Sequence, residues 1–319
     1  MSQALAPLLS QHPIFQTLAL PLLLALLGMA ALRLWPGERW ALCGAMLGLV
    51  GALAWMPGFE WPAQSRTAKL PWVVLAGLCL ALLALAREVG GVRLIRSPLV
   101  TLVAVAVWVW AGLWLSGGQA SPPLLLGAGL LGGAVLWLLA RGHAGVVAPA
   151  AATIGLAVLA VAALGLAALA ATGGSLLLAQ LAGMLATTAM AGAGWSWLRP
   201  SARMAAAGGH WLWPLGLTWL SIAWTWVLAA PAPSAGYTRA LQVALLALAF
   251  GVPVLMSSVS AAALEPRWKR LVLPGLVLPA AALLAAVAVA LAWWAGVASM
   301  GGTPMPDTAT DPNDPYLTP

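Results

Sequence analysis

KLPWVVLAGLCLALLALAREVGGVRLIR, residues 69–96, decides the fold. Between Lys69 and Arg87 lie seventeen uncharged residues, Leu70 to Ala86. At 1.5 Å per residue they make a helix of about 26 Å, close to the hydrocarbon thickness of a bilayer. A single lysine stands on one flank, whereas Arg87, Arg93 and Arg96 stand on the other. That asymmetry orients the segment, and every other apolar segment can be hung from it by alternation.

Composition points the same way. Of the 319 residues 63% are hydrophobic and only 7% are charged, against roughly 25% charged in an ordinary soluble domain. So few polar groups cannot cover a water-facing surface, which predicts an all-α, polytopic integral membrane protein whose first partner is the lipid bilayer. The formal net charge of +7 does not indicate nucleic acid. The fourteen basic residues are scattered among short connections, with no dense stripe or aromatic-basic motif. The excess of Arg over Lys, with abundant Ala, Leu and Gly, suggests a GC-rich bacterial source and hence the inner membrane. The N-terminal stretch MSQALAPLLSQHP lacks the basic residues of a secretory signal, so the first apolar run reads as a retained helix.

Ten helices are predicted: 14–32, 40–56, 70–86, 98–115, 123–140, 144–171, 175–198, 211–230, 241–264 and 271–298. The tail 301–319, with Asp307, Asp311 and Asp314, is expected to be disordered. The sixth and seventh helices come from an uncharged run, Ala144 to Leu198, which as one helix would be about 80 Å long. Thr172-Gly173-Gly174 is its natural break, because adjacent glycines favour turns.

Alternation then divides the basic residues into eleven on one side and three, Arg66, Lys69 and Arg239, on the other. Basic loops stay in the cytoplasm, so both termini and the acidic tail are expected in the periplasm. Merging the sixth and seventh helices would leave seven basic residues on each side and no bias. The charge distribution therefore supports the break.

No catalytic, cofactor or metal site is apparent. Glu38, Glu60, Glu88 and Glu265 fall in connections, and none of the ten expected spans holds an Asp, Glu, Lys or Arg. Coupled carriers commonly place a carboxylate near the membrane centre, so ion coupling of that kind is not expected. No phosphate-binding G-x-x-x-x-G-K-[ST] sequence occurs. His12, His143 and His210 are dispersed, and Cys43 and Cys79 read as small buried hydrophobes.

Four features remain. In the eighth helix Thr218, Ser221 and Thr225 share one face, flanked by Trp219 and Trp224, and could line a cavity. Their alternative role is to bond the carbonyls one turn back. Glu60, Trp61, Arg66, Lys69 and Trp72 gather around the longest internal polar loop, where they could hold an anionic headgroup or a periplasmic partner, or serve as interfacial anchors. Gly44/Gly48 and Gly129/Gly133 are GxxxG pairs suited to close approach by another helix, including one from a membrane partner.

These features favour a non-catalytic membrane subunit or scaffold. The alternative is a permease for a small neutral or amphipathic solute. Splitting the chain after the fifth helix gives two halves of opposite orientation, as an inverted repeat requires.

Overall fold

The computed structural model describes residues 15–34, 37–56, 58–89, 98–145, 148–199, 212–255, 277–291 and 293–294. The tail 301–319, the three histidines' surroundings and the connections holding Arg93, Arg96, Arg203, Arg267, Lys269 and Arg270 lie outside them. Among the described residues all regular secondary structure is helical, with no strand. In order, α1 spans Phe15–Leu34, its first turn a π-helix. It is followed by α2 Glu38–Trp55, α3 Arg66–Val89, α4 Pro98–Ser116, α5 Pro122–Gly145, α6 Ala148–Thr172, α7 Leu176–Leu198 and α8 Leu212–Leu228. α9 runs from Pro233 to Ala247 and continues through a tight turn, Leu248–Gly251, to Leu255. α10 spans Val277–Leu291.

Among the described residues six stretches, in α1, α3, α5, α6, α7 and α9, are long and apolar enough to cross a membrane. Shorter apolar helices occupy the other four expected positions, in α2, α4, α8 and α10. Large apolar side chains point outward around the bundle, among them Leu27, Leu83, Leu102, Leu130 and Leu283. Such a surface is at home in lipid and would be a liability in water. Cys43 is buried, but Cys79 is exposed, contrary to the sequence expectation. It lies one turn before Leu83, on the outward stripe of α3.

Several boundaries differ from the sequence reading for identifiable reasons. α3 begins four residues early, so Arg66 and Lys69 belong to its first turn rather than to a loop. Ser65 starts it, its hydroxyl accepting from the Ala68 amide at 3.1 Å. α9 begins at Pro233, where the fixed φ of proline suits a first helical position, so PAPSAGYTR is mostly helix. The break between α6 and α7 falls where expected: Gly174, at φ +79°, takes the left-handed conformation that ends α6.

Packing is densest within two hairpins, α1–α2 and α6–α7. In the first, Gly28 lies against Gly44 and Ala25 against Gly48, so closely that a Cβ on either α2 glycine would overlap the α1 backbone. The Gly44/Gly48 face is therefore filled by the chain's own first helix and is closed to an outside partner. Gly129 has open space around it, and Gly133 meets only Val105 at ordinary contact distance. The close approach in α5 comes instead at Gly132, against the Trp108 indole of α4.

The centre of the bundle is α8. From Leu212 to Val227 every residue is buried, and α8 packs against α3, α4, α5, α6, α7 and α9. Gly77 of α3 meets Pro214, and Gly216 receives Leu139 of α5. A helix apolar around its whole circumference belongs in such a core.

Candidate functional site

The hydroxyl face of α8 is inside the protein and turned on itself. Thr218 donates to the Pro214 carbonyl at 2.7 Å, Ser221 to Leu217 at 2.7 Å and Thr225 to Ser221 at 2.8 Å. All three side chains are buried, and they line none of the grooves described below. An oxygen aimed at the preceding turn satisfies its own proton where water is absent, so back-bonding is the role the geometry gives them. Trp219 is wholly enclosed and meets Phe250 edge to face, with ring centroids 5.2 Å apart. Among the described residues its indole N–H, like those of Trp213 and Trp226, meets no acceptor. Indole area is what these side chains contribute to the core. Of the five residues expected to line a cavity, Trp224 alone lines one of the three grooves formed by the described residues.

The polar-loop cluster is divided between two jobs. Trp72 stacks edge to face with Phe59 and Trp61, at 5.2 and 5.6 Å, and its indole donates to the Glu60 carbonyl at 3.1 Å. Trp61 is largely exposed, the posture of an interfacial anchor. Arg66 and Lys69 instead reach sideways to the ends of neighbouring helices. Arg66 donates to the Leu228 carbonyl at the end of α8, 2.7 Å away, and to the Gln119 carboxamide oxygen. Lys69 donates to the Trp114 carbonyl of α4 at 2.8 Å, with its ammonium 5.5 Å from the Trp114 ring. Arg239 on α9 completes the set, donating to the Trp226 carbonyl of α8 at 2.9 Å and covering that indole.

The three basic residues that alternation places together thus share one chemistry. Each supplies a positive charge and N–H donors to carbonyls left unpaired at a helix C-terminus. The contacts also bring four connections to one end of the bundle: α2–α3, α4–α5, α6–α7 and α8–α9. Arg66 ties the first to the second and fourth, and Gly173 of the third lies against Trp226 and Arg239.

Between α5, α8 and α9 runs an apolar groove of about 470 Å³. Its floor is Leu220, Ala223 and Trp224 of buried α8, and its rims include Tyr237 and Leu241, both at least half exposed. A second groove of about 330 Å³ lies between α4 and α5 and shares Trp108, Ala128 and Trp224 with the first. The two indoles at this junction are held in place, Trp108 donating to the Ala128 carbonyl at 3.0 Å and Trp224 to Gly112 at 3.1 Å. A third groove, of about 780 Å³, separates α1 from α7.

The sequence reading passed over these grooves, because they arise where small residues such as Gly127 and Ala240 leave space. Side-chain volume on two facing helices was the only available signal, and it needs the pairing of those helices to be read. Among the described residues no group of three His, Cys, Asp or Glu could hold a metal. The chain matches no family model, no curated protein and no solved structure.

Proposed function

We propose that the chain is a non-catalytic subunit or scaffold of the bacterial inner membrane, crossing it ten times with both termini in the periplasm. The reading rests above all on α8. A bundle built around a helix with sixteen consecutive buried residues, its hydroxyls satisfied by their own carbonyls, offers no free hydroxyl face along that helix to line a polar path. A central helix of this kind suits a rigid platform better than a route for a polar solute. The ten-span topology is supported by the eleven-to-three division of basic residues and by the gathering of alternate connections at one end of the bundle.

The permease reading is favoured by one observation, the partial correspondence of the two halves. The α1–α2 hairpin matches α6–α7 in closeness, and α2 meets α7 as α3 meets α8. Inverted five-helix repeats would produce these pairings. Single cysteines at Thr218, Ser221 and Thr225, in a Cys43→Ala, Cys79→Ala background, separate the two readings. A water-soluble thiol reagent applied to inserted protein is expected to label none of them. Labelling at all three would replace the scaffold with a carrier.

A further inference from the structure

The α5–α8–α9 groove has the shape and rim of a lipid site. Its wall on α5 runs from Pro123 to Leu131, a rise of about 12 Å, against about 15 Å for one leaflet's share of the hydrocarbon core. Its volume of about 470 Å³ falls within the usual range of ligand pockets, roughly 300–1,000 Å³. The floor is buried and the rims are exposed, so the groove opens sideways, toward lipid rather than toward water.

Polarity is concentrated at one end. There the Tyr237 hydroxyl lies 3.4 Å from that of Ser121, the residue preceding α5. Arg66 stands beside the same end. It is anchored to Leu228, which follows the groove residue Val227, and to Gln119, two residues before Ser121. Its partners are a carbonyl and a carboxamide oxygen, so the positive charge is not neutralised. Two bonds also leave further guanidinium donors for a ligand. The first amides of α5 add partial positive charge at this rim.

We infer that the groove holds one acyl chain of an anionic phospholipid, with the phosphate at Arg66, Tyr237 and Ser121. The chain lies against Leu220, Ala223 and Trp224 of α8. The interaction reaches the central helix through the lateral gap between α5 and α9.

Native mass spectrometry of the full chain in mild detergent tests this, using phosphatidylglycerol and phosphatidylcholine with identical acyl chains. Retention of phosphatidylglycerol is expected to exceed that of phosphatidylcholine by about ten-fold, the scale of one charge-assisted hydrogen bond. Arg66→Gln should erase the preference by lowering retention of phosphatidylglycerol about ten-fold, to the level of phosphatidylcholine. Gly127→Leu, at a position with open space around it, should fill the groove and reduce retention of both. Arg239→Gln, whose guanidinium faces Trp226 instead, should leave the preference intact. Tyr237→Phe keeps the ring and removes the hydroxyl, so it reports on the rim even if Arg66→Gln does not fold. Equal retention of the two lipids by the unaltered protein would overturn the inference. So would indifference to Gly127→Leu, or an Arg239→Gln effect equal to that of Arg66→Gln.

Discussion

Single residues show why one motif can mean opposite things. Gly44 and Gly129 each begin a GxxxG pair, yet the first is pressed against the Gly28 backbone and the second faces open space. Gly44→Ala is therefore expected to destabilise the protein by about 1–3 kcal/mol, since a Cβ forces two backbones apart. Gly129→Ala should remain within about 0.5 kcal/mol of the parent. Thermal unfolding in detergent measures both, and equal losses would mean that α1 and α2 do not pack as described. Thr218→Val is a second contrast. Its hydroxyl serves a carbonyl of its own helix and the valine is close in shape, so a change of no more than about 1 kcal/mol is expected. These outcomes depend on what faces each side chain, and spacing within one helix carries no such information.

At the level of elements, the cations at the helix ends are informative. Arg66 and Lys69 occupy the first turn of α3, an unfavourable place for positive charge in an isolated helix. They are tolerated because antiparallel neighbours bring the C-termini of α4 and α8 alongside. Arg66 and Arg239 serve the same end of α8, at Leu228 and Trp226. Replacing either by Met should cost a few tenths to about 1 kcal/mol after allowance for solvent screening. The double replacement should depart from the sum of the singles, because the two share one helix terminus. Strict additivity in a double-mutant cycle would show that they act independently. The helices themselves were largely legible beforehand, since apolar length and the paired glycines at 173–174 placed them. Their starts were less so: Ser65 and Pro233 extend α3 and α9 into stretches that polarity alone marks as loops.

For the whole molecule, the charge asymmetry makes the topology testable. Reporter fusions at Arg93, Arg203 and Lys269 are expected to read cytoplasmic, and fusions after Ala120, Ser234 and Gly302 periplasmic. A cytoplasmic C-terminus would overturn the alternation of ten spans. What sequence could not reveal was the centre, because in lipid every helix is apolar and hydrophobicity no longer separates inside from outside. That α8 is the hub follows only from which helices surround it. Its position in the chain has a further consequence for biogenesis. Translation delivers the hub eighth, after the seven helices that precede it in the chain. The α1–α2 and α6–α7 hairpins can close as soon as they are made, but α3, α4 and α5 must wait for the helix against which they finally pack. A nascent chain ending at Leu198 should therefore insert and yet remain unassembled. In a pulse-chase experiment it is expected to be cleared by membrane proteases faster than the full chain. Equal lifetimes would mean that the first seven helices form a stable body without their core.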